Sequence, residues 1–497
     1  MGEQCERTAR AIAVYLAERQ RPDGSFPGPD YYGVASALWL WSHLGDEFAG
    51  QISRALSRLK NDPPSSHGEF NIYVLLHCRQ RVDEAEVDAI IRRLRFGRRH
   101  SANWMLLRAA CRALAGPRLS SLRAQFEGRA ALALHSRHGF IEDRRGVRSF
   151  AYHAFCGALL AELWKAQGFR WAGRAAARAA AFLAPLILPN GDALYVGRGQ
   201  QQLFGYGALI RLLRSAGALT GESRYVELAE RVFTWVARFQ RPDGSFPLVI
   251  REGEEAEPWQ PDAARPGWYT YNRYADYLPF FGCMLLEAAD DSLYLGPTKP
   301  ASSDRFRVVR MKRYTAVIGP PGGPPTNDLS FPYVCVDGES LFPCYGREGE
   351  RVAPWESPLP YGIAAEGVRF AFRDHVRYRL TEAGLVGVSR LVRHERRFIF
   401  EEDGFECADE ITFLRRCSWS SFVPANFLFR NLRPVGDGYE TSHGGARARI
   451  HMEPAGTIHP AAAVTASGRL VALRHEMGGF EAAPGQRLTV RLVVEFI

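Results

Sequence analysis

The chain lacks any pair of cysteines spaced for a metal or a redox disulfide. Its nine cysteines are scattered, at Cys5, Cys78, Cys111, Cys156, Cys283, Cys335, Cys344, Cys407 and Cys417. An odd number with no CxxC pair speaks against a disulfide framework and against a zinc site. It fits buried free thiols in a reducing compartment. No apolar run approaches the roughly 18 residues that a membrane span requires. The first residues, MGEQCERTARAIAVYLAERQ, contain no apolar core of signal-peptide length, and Glu6 breaks the myristoylation pattern. The expectation is a cytoplasmic protein, with the periplasm left open. Lysine is scarce, so arginine carries nearly all of the basic charge behind the formal +9. A run of basic and aromatic residues is almost missing too. Arg92–His100 (RRLRFGRRH) is the one candidate, and it reads more simply as a solvated helix end. No nucleic-acid partner is therefore expected.

What the chain does contain is a helical pattern over its first three-fifths. Apolar positions at helical spacing predict helices over 5–19, 31–45, 49–60, 69–80, 84–98, 101–115, 118–135, 149–168, 171–188, 200–219, 222–239 and 271–290. One phrase, QRPDGSF, occurs at Gln20–Phe26 and again at Gln240–Phe246. Weaker turns lie between them, at His67-Gly68-Glu69-Phe70, His138-Gly139-Phe140 and Asn190-Gly191-Asp192. The irregular spacing holds at least a pair of helices between turns, the sign of a helical-hairpin repeat. The same phrase at both ends favours a closed array, because the first and last units then meet as equivalents.

Leu295–Arg305 is a linker by composition. Beyond it, segments such as RFRVVRMKRYTAVIG, GLVGVSRLVRHERRFIFE and RLTVRLVVEFI alternate apolar and charged residues at period two. The fold class expected is α+β and multidomain. It comprises an (α/α) toroid of about six hairpins over residues 1–294, a linker over 295–305 and an antiparallel β-sandwich over 306–497.

Chemistry is densest at Asn190–Leu209, NGDALYVGRGQQQLFGYGAL. A structural helix start needs one capping residue and an apolar stripe. This one adds Tyr195, Arg198, Gln200, Gln201, Gln202 and Tyr206, with glycines that let the backbone approach a ligand. Arginine and amide donors suit a polar, anionic ligand. A second cluster, Gly267–Tyr277, holds Tyr269, Tyr271, Asn272 and Arg273 at a helix start. Alternate turns of a toroid share one face, so these segments and Ser149–His153 are expected to meet in one cleft. His375 and His394 fall in predicted strands, and Tyr345 and Trp355 are placed to stack a sugar ring.

The QxPDGSF phrase resembles the turn motif of terpenoid-cyclase-type and related α/α toroids, in which Gln and Asp tie helix ends together. That resemblance implies structural roles for Gln20, Asp23, Gln240 and Asp243. Helices followed by a β-sandwich resemble polysaccharide lyases of the heparinase II/III-like, alginate-lyase and chondroitin-lyase kinds. Arg198-Gly199, Leu203 and Tyr206 are similar to a motif of some alginate lyases, and His153 to their inner-helix histidine. Tyr152 stands where those enzymes often carry Asn. The resemblance implies β-elimination on a uronate-containing glycan, with no metal or organic cofactor. His153, Tyr206 and Arg198 are the implied catalytic residues. Tyr152, Tyr195, Gln200, Gln201, Tyr269, Tyr271, Asn272, Arg273 and His375 are the implied substrate contacts. The partner expected is an anionic polysaccharide or oligosaccharide.

Terpenoid cyclisation would need an acidic DxDD-like cluster, and none is present. A glycoside hydrolase would need two carboxylates in the cleft, for which Asp30, Asp192 and Asp276 are available. A noncatalytic glycan-binding protein of polysaccharide assembly is the remaining alternative.

Overall fold

The computed structural model describes residues 1–116, 118–250, 259, 273–287, 294–296, 305–321, 329–343, 354–465 and 468–497. The fold is α+β, with helices first and antiparallel sheets after them. Twelve long helices precede the sheets: α1 (Gly2–Arg19), α2 (Gly33–Leu44), α3 (Ala49–Asn61), α4 (Gly68–Cys78), α5 (Glu84–Arg93), α6 (Ala102–Leu114), α7 (Arg118–His135), α8 (Phe150–Gln167), α9 (Arg170–Leu183), α10 (Leu203–Thr220), α11 (Ser223–Ala237) and α12 (Tyr274–Glu287). No helix among the described residues is long and apolar enough to cross a membrane.

The even-numbered helices are apolar nearly all round. In α2, Gly33 to Trp41 is buried without interruption. Several odd-numbered helices are amphipathic; α3 buries only Ala55, Leu56 and Leu59. A helix apolar on every face must be enclosed, and an amphipathic one covers it. Accordingly α2, α4, α6, α8, α10 and α12 pack each on the next, and α12 packs on α2. The odd-numbered helices lie outside them.

The repeated phrase explains how hairpins dock. Asp23 Oδ1 accepts hydrogen bonds from the Ser25 amide at 3.0 Å and the Ser25 hydroxyl at 2.7 Å. Asp243 does the same for Ser245, at 3.0 and 2.6 Å. Gly24 and Gly244 have φ of 84° and 89°, and a Cβ at either would strike a backbone carbonyl, of Arg54 and Ala11 respectively. The first turn therefore seats on α3, and the second on α1. Gln20 Nε2 donates to the Gln51 carbonyl and Gln240 Nε2 to that of Thr8. The two glutamines thus reach a neighbouring helix, while each Asp shapes its own turn.

Several helix ends differ from the expectation, three of them for a visible reason. The fifth stops at Arg93 rather than 98, because residues 95–97 cross the start of α4, where Glu69 takes the Gly97 amide at 2.7 Å. The ninth stops at Leu183, short of Pro185. The tenth starts at Leu203, because Gly197, Gly199 and Gln201 have left-handed φ of 86°, 73° and 53°.

Strands from Arg307 onward form three antiparallel sheets. An eight-stranded sheet runs Arg433–Val435, Gly438–His443, Ala446–Glu453, Arg487–Phe496, Gly404–Phe413, Val392–Glu401, Gly384–Val388, Arg377–Leu380. A second is centred on Cys417–Phe429, between Gly468–Met477 and Tyr361–Ala364. A small four-stranded sheet, Arg307–Arg310 to Glu339–Ser340, lies against the helices. Its Val317, Tyr333 and Cys335 belong to the helical core, whereas Tyr314, Ala316 and Ile318 join the core of the larger sheets. His375 does not lie in a strand. It closes a short helix, Phe372–His375, in which its ring stacks on Phe370 at 4.8 Å.

Candidate active site

Five of the inner helices begin on the same cleft. Its lining is Tyr31 and Tyr32 before α2, His67 and Phe70 at α4, Arg99, Ser101, Asn103 and Trp104 at α6, Asp143, Arg144 and Tyr152 at α8, Arg198 before α10, and Asp276 and Tyr277 on α12. The empty volume is about 570 Å³. Helix N-termini carry unpaired N–H groups and positive dipole ends, so the five that open on this space, those of α2, α4, α6, α8 and α12, favour an anion.

Side chains add to this field. The Arg198 guanidinium lies 5.1 Å from the Tyr152 ring centre, with Nη2 3.4 Å from the Tyr152 hydroxyl and Nη1 3.4 Å from Asp143 Oδ2. Arg99 sits 4.4 Å over Trp104. Arg273 sits 5.4 Å over Tyr31, with Nη2 3.5 Å from its hydroxyl. Tyr31 in turn stacks on the His67 ring at 4.2 Å. Burial, and then Arg99, push the His67 imidazole down to about 4. It is neutral near pH 7, with a nitrogen lone pair available. His67 also holds a left-handed φ of 55°, a conformation that costs energy outside glycine and clusters at functional sites.

Two carboxyls on the cleft are held above the ordinary range. Asp143 is raised by burial against the pull of Arg198. Asp276 is raised well above by burial and by Asp30, although its Oδ1 accepts the Tyr31 and Tyr32 amides at 2.8 Å each. Asp276 Oδ2 is buried with no hydrogen-bond partner among the described residues.

Of the residues expected from sequence, Arg198 and Tyr152 meet in this cleft, and Arg273 stands beside Tyr31 at its edge. His153 is a correction. It is fully buried, Nδ1 accepts the Ile141 amide at 2.9 Å, and Nε2 lies 3.0 Å from the Ala179 carbonyl. A carbonyl only accepts, so Nε2 carries the proton and both nitrogens are committed. Phe140 and Phe182 wall the ring. Tyr206 is a second correction. Fully buried, it donates to Asp192 Oδ1 at 2.7 Å and packs on Trp235. Tyr195 donates to the Leu186 carbonyl at 2.7 Å and stacks on Tyr333. Gln201 donates to Asp192 at 2.9 Å and to the Tyr333 hydroxyl at 3.2 Å. Tyr333 itself donates to Asp192 Oδ2 at 2.7 Å. These groups form a seam between helices and the small sheet, with Asp192 as its hub. Gln200 is buried. His375 sits among the strands, away from the cleft lining. Tyr269, Tyr271 and Asn272 lie outside the described residues.

The chain turns away for a backbone reason. At Gly197 a Cβ would fall 1.9 Å from the Arg148 carbonyl oxygen. That close crossing sends Arg198 to the cleft and its neighbours to the seam. The sequence reading missed Tyr31, His67, Asn103, Trp104 and Asp143. A signal existed, since each precedes or opens every second helix of the repeat.

The buried histidine yields a pH prediction. Burial lowers His153 to about 4 in the folded chain, against about 6.5 unfolded. The unfolded chain therefore binds the proton first, and stability falls as pH drops from 6.5 towards 4. Urea unfolding at pH 7 and pH 5 is expected to show about 2 kcal/mol less pH-dependent loss in His153→Gln than in wild type. Equal losses would contradict the assignment.

No family model and no curated protein matches the chain. Among solved structures, chondroitin AC lyase of Streptomyces coelicolor A3, in complex with chondroitin sulphate, is similar over 99% of this chain and 79% of its own, at 12% identity and a TM-score of 0.51. An α-1,6-mannanase from Salegentibacter covers 57% of this chain and 98% of its own, at 11% identity and 0.45. A sugar epimerase from a ruminal bacterium covers 57% and 98%, at 12% and 0.45. The first of these shares the fold of the whole chain.

Proposed function

We propose that the helices form an (α/α) toroid of six hairpins, and that its cleft is the active site of a lyase that cleaves a uronate-containing anionic glycan by β-elimination. The observation that carries this reading is Arg198, braced by Asp143 and Tyr152, in a cleft where five helix N-termini converge beside a neutral histidine. Removing the C5 proton of a uronate places charge on its carboxylate, and donors must meet that charge as it develops. Arg198 and Asn103 supply them. Ser101 holds the Asn103 carbonyl oxygen at 2.7 Å, which leaves the amide NH2 end for a ligand. His67 takes the C5 proton. The C4–O bond breaks as the C4–C5 double bond forms, and Tyr152 returns a proton to the leaving oxygen.

One observation favours a second reading. Asp276, whose carboxyl burial and Asp30 push well above the ordinary range and whose Oδ2 has no hydrogen-bond partner among the described residues, would serve as the general acid of a hydrolase. The two readings separate on one experiment. Elimination produces a near-ultraviolet absorbance from the unsaturated uronate, and hydrolysis produces reducing ends without it. On a panel of uronate polymers and oligomers, wild type is expected to raise the absorbance. His67→Ala is expected to lose about 100-fold or more, within the usual range for a general base, and Asp276→Asn to retain activity. Reducing ends without absorbance, lost in Asp276→Asn, would sink the lyase reading.

A further inference from the structure

The opposite ends of the inner helices hold a second polar cluster that the proposed reaction does not use. His77 on α4, Glu162 on α8 and Glu287 at the end of α12 bring one imidazole nitrogen and two carboxylate oxygens within 4.8 Å of one another. Their side chains are 8, 3 and 9% exposed. His77 Nε2 lies 3.7 Å from Glu162 Oε2, and its Nδ1 lies 3.8 Å from Glu287 Oε1. Both separations are too long for hydrogen bonds, and His77 Nε2 has no hydrogen-bond partner among the described residues. A buried nitrogen left so is costly. Two ligand atoms about 2.1 Å from one tetrahedral cation stand about 3.4 Å apart. Only one imidazole nitrogen can hold the ion; the Nε2–Glu162 spacing, too wide for a hydrogen bond, is close to that of two ligands on one ion, with a Glu287 oxygen within 4.8 Å of the set.

The neighbours hold these groups in place. Arg211 donates to Glu162, and to the Tyr73 hydroxyl at 2.8 Å. Its guanidinium is also 3.8 Å from Glu287 Oε2. His43 Nε2 lies 3.2 Å from Glu287 Oε1, and its Nδ1 lies 3.2 Å from the Trp39 carbonyl. The Trp39 indole stacks on His77 at 4.5 Å. Fixing the ligands from behind in this way is what orients metal-binding carboxylates and imidazoles. Arg211 offsets one of the two carboxylate charges. Lys165, 3.7 Å from Glu287 Oε2 and 38% exposed, offsets the other.

We propose that His77, Glu162 and Glu287 bind one divalent first-row transition-metal ion, with zinc the best fit to this nitrogen and oxygen donor set. The ion ties α4, α8 and α12 together at the end away from the cleft, with water completing its coordination. The cysteine pattern argues only against a thiolate site, and this one uses none.

The test uses the full chain, stripped with a chelator and dialysed. Zn²⁺ is titrated in competition with a chromophoric chelator. One equivalent per chain is expected, with affinity at least tenfold weaker in His77→Ala and in Glu287→Gln. Far-ultraviolet circular dichroism checks that the variants fold. Co²⁺ titrated into wild type needs no variant, and visible absorption well above that of the aquo ion, displaced by one equivalent of Zn²⁺, is expected. Wild type binding no more zinc than His77→Ala, or Co²⁺ keeping its aquo-ion spectrum, overturns the proposal.

Discussion

Arg198→Ala is expected to lower the rate of uronate elimination by about 100- to 1,000-fold, the usual cost of one lost donor to a developing oxyanion, and Tyr152→Phe by about 100- to 10,000-fold, the usual range for a lost general acid. Tyr206→Phe is expected to stay within about threefold of wild type. The contrast follows from where the side chains go. Arg198 is 22% exposed and faces the cleft beside Tyr152. Tyr206 is fully buried and spends its hydroxyl on Asp192. The phenylalanine variant removes one donor from a carboxylate that also accepts from Gln201 and Tyr333, so its cost is read in stability, at about 1 kcal/mol or somewhat more. Initial rates of near-ultraviolet absorbance for the three variants, with thermal melts alongside, check both statements. A Tyr206→Phe enzyme that folds and is inactive would return the chemistry to the seam and refute the cleft assignment.

The second large effect is expected far from any substrate. Arg396→Ala is expected to destabilise the β region by about 3–5 kcal/mol, the cost of stripping one partner from a buried ion pair. Arg396 and Asp409 are buried and joined by two hydrogen bonds of 2.7 Å. The same guanidinium donates to the carbonyls of Ser330 and Pro358. Burial pushes the Asp409 carboxyl up, but Arg396 and His394 more than offset it and hold it at about 2. Without Arg396 that charge remains in the core, beside a histidine whose Nδ1 lies 2.6 Å from the Tyr378 hydroxyl. Replacing both partners, as in Arg396→Met with Asp409→Leu, is expected to recover much of the loss, because no charge is then left unpaired. Urea unfolding of the three proteins decides this. A loss below about 1 kcal/mol in Arg396→Ala would contradict the network's role. The His394 that stood out in the sequence as a strand histidine belongs to this network.

The helices, their number and most of their ends were legible from the residues alone. Helix formation is a local matter. Apolar spacing and the Asp and Gly of each PDGSF turn act within a few residues of themselves. The change to period-two strands from Arg307 onward is local in the same sense. The two QRPDGSF turns even carried a long-range message, because each is shaped to seat on a neighbouring outer helix. The site was legible only where a residue's direction follows from its helix. Tyr152 lies in the first turn of α8, and an inner helix start faces the cleft. At Asn190–Leu209 the direction was set otherwise. Left-handed residues at Gly197, Gly199 and Gln201, and the crossing of Gly197 over Arg148, separate Arg198 from Tyr195, Gln201 and Tyr206. No pattern of residue types records such a reversal. The same holds for His67, Asn103 and Asp276, which lie far apart in the chain. The sequence by itself determined which segments are helix or strand and where the hairpins dock. Only the tertiary structure decided which polar side chains share the cleft, because that depends on closing the ring of helices and on a few backbone torsions that each turn a whole segment.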